Sequence, residues 1–350
     1  MKMLMENLPQ NKKRLKSEIS VLNVLFCLMV IFIHITSYTI AALDAASPTV
    51  KVLHAFWRLC SCAVYGFIFL SGVKLFLKED KDFSLKKFYV SRLKKIVLPY
   101  VVAVIFYYLF EISRGYYEFS FKELGFFLLS GKIECHLYFV VIIIQFYLLM
   151  PLWQKLVSLK NKPLLLTGAF LLNIFFVYQI PKLFSGFEYN DRVFTSYIFF
   201  WLLGCICGKC YNRFLAVLKK SVAAFILFFI ICFAADAYLS YICKFGIYYK
   251  ITETVHLLYC FGAILFFYCL AYSGKVREIA QNKIFKRINY ASYEIYLVHI
   301  FVLYKANDFI LCLKIGELKA WLLRAVIVYS VSILLCVAYK ALINIKRSRF

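Results

Sequence analysis

The sequence predicts an all-α fold: a polytopic integral membrane bundle of about ten transmembrane helices with both termini cytoplasmic. Three observations predict it. Of the 350 residues 63% are hydrophobic and only 17% are charged, whereas a soluble domain of this size carries roughly a quarter charged residues. Apolar runs of near-membrane length follow one another along the whole chain. Lysine and arginine are distributed unevenly among the segments that join those runs.

A helix needs about 20 mainly apolar residues to cross the hydrocarbon core. The runs that approach or meet this are 20–41, 55–77, 96–112, 136–153, 164–180, 194–210, 221–241, 254–273, 289–304 and 321–343. The third, fifth and ninth are the shortest or most polar. The first begins near Ile19 and has no small-residue cleavage site, so it reads as a span and not as a secretory signal. No internal repeat or Pro-rich linker divides the chain, which reads as a single transmembrane domain over 1–350 with no appended soluble domain.

Orientation follows from the basic residues. With the N-terminus inside, the inner segments 1–19, 78–95, 154–163, 211–220, 274–288 and 344–350 hold 26 Lys and Arg in 79 residues. The outer segments 42–54, 113–135, 181–193, 242–253 and 305–320 hold 11 in 77. The net charge of +24 is therefore spread between apolar runs. That pattern suits anchoring against anionic membrane lipid and argues against nucleic acid as a partner. The 13 cysteines lie mostly inside apolar runs, where a thiol behaves as a small hydrophobe. Cys207 and Cys210, in CGKC, have zinc-like spacing but no second ligand pair, so no metal is expected.

Ionisable groups inside a membrane are costly and ask for a reason. His34, in FIHITSY of the first run, falls in the outer half of the bilayer. Ser37 and Tyr38 follow it at i+3 and i+4. Asn23 lies eleven residues earlier on the same face, about 16 Å toward the cytoplasm. His299 sits at a similar depth in the ninth run, preceded on its face by Tyr296 and Ser292, and His136 opens the fourth run at the outer boundary. A neutral imidazole can take a proton from a sugar hydroxyl. For any one of these histidines the plainer reading is a hydrogen bond to a neighbouring helix, and three at one depth favour chemistry. On the inner side, 83–100 is a basic segment in which Arg92 and Lys95, read as helix, lie one turn apart and could share an anion such as a phosphate. Simple lipid anchoring also accounts for that charge. Asp236, Glu294 and Arg324 read as ion pairs between helices, and His54 and His256 carry no signal of their own.

Taken in order, SVLNVLFCLMVIFIH (20–34), FIFLSG with FYVSRLKKIVLPY (67–72, 88–100), HLYFVVIIIQFYLLMPL (136–152) and INYASYEIYLVHIFVL (288–303) resemble the acyltransferase-3 family of membrane acyltransferases. That family includes O-acetyltransferases of bacterial surface polysaccharides. The resemblance implies a multi-pass protein of the bacterial plasma membrane. It implies transfer of an acyl group, acetyl in the commonest case, from cytoplasmic acyl-coenzyme A to a hydroxyl of a surface or lipid-linked polysaccharide. Acetyl-coenzyme A is then a donor substrate, and no permanently bound cofactor is expected. His34 matches the family's catalytic histidine, and Arg92 and Lys95 fall in its coenzyme-side motif. Two positions depart from the pattern. Asn23 stands where the family has an arginine, and Lys95 replaces a second arginine, keeping charge but losing the planar fork.

A thioester is already activated, so transfer needs a base for the acceptor hydroxyl and a donor to the oxyanion. His34 suits the first task. His136, Tyr38 and Tyr296 all remain open for the second, with His299 a further catalytic candidate at the same depth. The competing reading is a transporter, flippase or polymerase of a lipid-linked sugar. A transporter or flippase would show broken helices in matching positions of two halves, and no such pairing is visible among the six prolines. A polymerase would show a large outer loop holding arginines, and the longest outer segment, 113–135, has 23 residues with three basic ones.

Overall fold

A computed structural model describes residues 8–77, 83–178, 189–247, 249 and 251–348. Its regular structure is helical, with no strand among the described residues. The stretches 1–7, 78–82 and 181–188, which enter the charge comparison, lie outside the described residues.

In chain order the principal helices are α1 (Leu8–Ala42), α2 (Pro48–Cys60), α3 (Ala63–Phe76), α4 (Leu85–Arg92), α5 (Leu98–Ser113), α6 (Phe121–Ser130), α7 (Tyr138–Leu148) and α8 (Met150–Ser158). They continue with α9 (Lys162–Tyr178), α10 (Ile198–Lys209), α11 (Tyr211–Lys220), α12 (Val222–Cys243), α13 (Thr252–Tyr272), α14 (Gly274–Ile279), α15 (Lys283–Cys312) and α16 (Glu317–Ser348). Among the described residues seven helices are long and apolar enough to span a membrane, with α2 and α3 counted as one (Pro48–Phe76) and α4 and α5 as one (Leu85–Ser113). Up to nine spans result if each of two bent pairs counts once. The shorter apolar helix α9 falls on the remaining run, 164–180.

Local sequence explains several boundaries. α2 begins seven residues before the run read from hydropathy, because Ser47 caps it by accepting from the Val50 amide and Pro48 occupies its first turn. α7 and α8 meet at 64° across Leu149, where Pro151 lacks the amide hydrogen needed to continue the ladder. Between α4 and α5, Leu93–Val97 is a π-turn, a feature frequent at functional sites.

The chain packs as two units. The first comprises Met1–Phe67 and Leu215–Phe350. α1 runs through its centre against α2, α13, α15 and α16. Its span is 56% buried, whereas α12 and α16 bury only 17% of theirs and turn the rest outward. An outward apolar face of that extent is the surface a bilayer covers. All three intramembrane charges read from sequence have ionic partners: Asp236 pairs with Arg58 and Glu294 with Lys340 between helices, whereas Arg324 pairs with Glu317 within α16 itself.

The second unit is Ile68–Phe214. Phe146 stacks on Trp201 at 4.4 Å, and the buried Trp153 indole donates to the Phe146 carbonyl at 2.7 Å. Close approach of α3 and α10 rests on glycine. A Cβ on Gly204 would overlap the Phe69 carbonyl, and one on Gly72 would come within 2.7 Å of the Trp201 carbonyl oxygen. Small residues allow such backbone contact in membrane bundles. Gly204→Ala is therefore expected to lower the thermal midpoint in detergent, by an amount equivalent to about 1–3 kcal/mol of overpacking. Gly168 on α9 faces open space, so Gly168→Ala should leave the midpoint unchanged or raise it. Equal midpoints for the two variants would contradict the packing described here.

Candidate active site

The first unit brings His34 and His299 together, from helices at opposite ends of the sequence. Their ring centroids lie 5.2 Å apart. His299 is fully buried, and its Nδ1 lies 2.6 Å from the Tyr296 carbonyl oxygen. A carbonyl only accepts, so Nδ1 carries the hydrogen and Nε2 is left as an acceptor. The Tyr296 ring is 5.9 Å from that of His299. His34 is part-buried, the less enclosed residue of the pair.

Below this pair the inner half of α1 is fastened to α15. Asn23 Nδ2 donates to Asn289 Oδ1 at 3.1 Å and to Ser292 Oγ at 2.7 Å, and Asn289 Nδ2 donates to Ser20 Oγ at 3.3 Å. Asn23, a candidate coenzyme-side residue by its place where the family has an arginine, clamps α1 to α15 through these bonds. Above the pair, Ser37 Oγ donates to the Ile33 carbonyl at 2.7 Å and accepts from the Trp57 indole at 3.0 Å. Tyr38 is 43% exposed, with the Arg324 guanidinium 5.6 Å from its ring centre.

The second unit holds the other candidates. His136 is 2% exposed and meets the Tyr107 ring edge-on at 5.7 Å, in the turn before α7. Arg92 lies between the Phe88 and Tyr147 rings, 5.1 and 5.0 Å from their centres. Its Nε is buried without a hydrogen-bond partner, and Lys74 is close enough for the two charges to repel. Such a pair of cations is suited to an anion. Lys95 is exposed and lies in the π-turn. Its i→i+5 bonds differ from the α-helical spacing that sets Arg92 and Lys95 one turn apart.

Sequence reasoning gave no role to Lys74, Arg58 or His256. Arg58 holds Asp236 with two bonds of 2.7 and 2.8 Å, and His256 Nδ1 lies 3.2 Å from the same carboxylate. Cys260 Sγ is 3.5 Å from His256 Nε2. An aspartate in an apolar run calls for a cation, but pattern alone does not say which of 42 to choose. Among the described residues no group of three or more His, Cys, Asp or Glu side chains gathers as a metal site.

Residues 17–341 match the acyltransferase domain that defines the acyltransferase-3 family. The chain belongs to that family. Among curated proteins it is similar to one from Staphylococcus aureus named "Probable poly-beta-1,6-N-acetyl-D-glucosamine export protein", with 24% identity over 306 residues covering 83% of each chain. A protein of the same name from Staphylococcus epidermidis is 24% identical over 304 residues, covering 83% of this chain and 82% of that one. No solved structure matches. As an acyltransferase-3 member with this series of apolar helices, the chain is a multi-pass protein of a bacterial membrane. Within the family match, His34 occupies the first span and His299 the ninth of the ten apolar runs.

Proposed function

We propose that this acyltransferase moves an acyl group, acetyl in the simplest case, from cytoplasmic acyl-coenzyme A to a hydroxyl of an extracytoplasmic or lipid-linked glycan. The observation that carries the reading is the part-buried His34 against the fully buried His299 inside an acyltransferase-3 domain. His34 takes the proton as the acceptor oxygen attacks the thioester carbonyl. The tetrahedral intermediate collapses, the carbon–sulfur bond breaks, and the proton leaves on the coenzyme thiol. Arg92 and Lys74 supply cationic charge for the donor's phosphates, with Lys95 a further contributor. The acceptor side is the outer one if both termini are cytoplasmic, as the basic residues imply.

A second reading, export of the glycan without modification, is favoured by the relatives' printed name. One assay separates the two. Membrane vesicles containing the protein receive radiolabelled acetyl-coenzyme A and an oligomer of β-1,6-linked N-acetylglucosamine. Alkali-labile label on the oligomer, absent from vesicles without the protein, is the expected result. Unlabelled oligomer that nonetheless crosses the membrane would replace the proposal with export.

A further inference from the structure

One turn beyond His34 on α1, a pocket of about 280 Å³ opens between α1, α15 and α16. Its volume is near the lower end of small-molecule sites, the scale of one sugar ring and its substituent. Four independent features mark it as built. The Arg324 side chain is only 6% exposed yet lines the pocket. Its guanidinium is fixed by Asn307 Oδ1 at 2.6 Å, Thr39 Oγ1 at 3.0 Å and Glu317 Oε1 at 3.2 Å. The other end of the Asn307 amide, Nδ2, is buried with no hydrogen-bond partner. An enclosed donor in that condition costs free energy unless something fills the space beside it.

The remaining two features concern the rim. Lys314 lines the pocket with φ of 49°, the only positive φ outside glycine among the described residues. Strain of this kind collects at binding sites. Tyr38 adds an exposed aromatic ring to the wall.

We infer that this pocket binds a saccharide unit of the acceptor glycan, an inference that rests on the acyltransferase reading for its purpose but not for its test. The wall offers donors from Asn307, Arg324 and Lys314, an acceptor from Glu317, and an apolar ring face from Tyr38. Sugar hydroxyls both give and accept hydrogen bonds, and their C–H faces lie against aromatic rings, so this mixture fits them. An anionic lipid headgroup fits less well, because Glu317 already neutralises Arg324 and stands in the same wall. The position also serves the chemistry: four residues of α1 from Tyr38 to His34 span about 6 Å, within the reach of one sugar.

The test is direct binding of a β-1,6-linked N-acetylglucosamine oligomer to the purified full-length protein in nanodiscs, measured calorimetrically, alongside acyl-transfer kinetics. Asn307→Ala is expected to weaken oligomer binding about tenfold and to raise the acceptor KM similarly, with the KM for acetyl-coenzyme A unchanged. Leu311→Trp provides a variant that touches no polar partner. Leu311 is 77% exposed on the pocket rim, so the larger ring narrows the opening without entering the core, and the same loss is expected. Oligomer affinity unchanged in both variants overturns the assignment. So does failure of the intact protein to bind the oligomer, or displacement of the oligomer by phosphatidylglycerol. Binding that both variants weaken, in a protein that transfers no acyl group, supports the pocket and rejects the acyltransferase reading.

Discussion

His34→Ala lowers the initial rate of acyl transfer by a factor of about 10²–10⁴, the range a positioned general base contributes. The protein stays inserted and folded. That second expectation comes from the packing: α1 is held to α15 by the Asn23, Asn289 and Ser20 bonds as well as by the imidazole pair. The fully buried His299 cannot take over directly, since it has no surface to offer an acceptor. His299→Gln is expected to show a smaller loss with an altered pH–rate profile, as befits a residue that orients His34. Initial rates with labelled acetyl-coenzyme A, normalised to protein in the membrane, give the answer. A His34→Ala rate within tenfold of the intact protein would place the base elsewhere.

Asp236→Ala is expected to be the most destabilising of single substitutions in the first unit. The carboxylate is fully buried and receives two bonds from Arg58 and one from His256. Its removal leaves the Arg58 guanidinium, itself only 13% exposed, without the carboxylate that its two hydrogen bonds reach. Breaking a buried pair from one side costs about 3–5 kcal/mol. Replacing both partners by apolar residues of similar size is often neutral, so Arg58→Met combined with Asp236→Leu should recover most of the thermal midpoint. Unfolding in detergent, followed by accessibility of the buried thiols, compares both variants with the parent. An Asp236→Ala protein as stable as the parent, or a double variant no better than the single, would show that the pair does not hold α2 to α12.

Much of the fold is legible in the sequence because lipid imposes a simple rule of length and apolarity. Within the described residues each of the ten runs falls on one helix or on two consecutive ones. The short third and ninth runs belong to spans of 29 and 30 residues, because basic and polar turns at Leu85–Arg92 and Lys283–Asn289 continue the helix beyond the hydrocarbon. Hydropathy does not see such turns. It also misses the amphipathic α6 within the outer segment 113–135, which is announced instead by its cap, Ser120, accepting from the Glu123 amide.

The site is legible only in part. That His34 and His299 share a depth can be counted from the sequence, but that their rings touch depends on which faces of α1 and α15 meet. Nothing local specifies that. The pairing of Arg324 with Asn307, Thr39 and Glu317 is likewise a product of three helices converging. Its residues carry no motif, and only the third dimension groups them.

The clamp around Asn23 has a consequence for precision. Apolar helices in lipid have little to fix their lengthwise setting, since one leucine ridge resembles the next. An amide seated on Asn289 and Ser292 acts as an index pin. A slip of α1 past α15 by one turn would move it about 5.4 Å, as far as the two imidazoles are now apart, and would break every bond of the pin. The setting of His34 against His299 is thus fixed from eleven residues away on α1, a distance of about 16 Å.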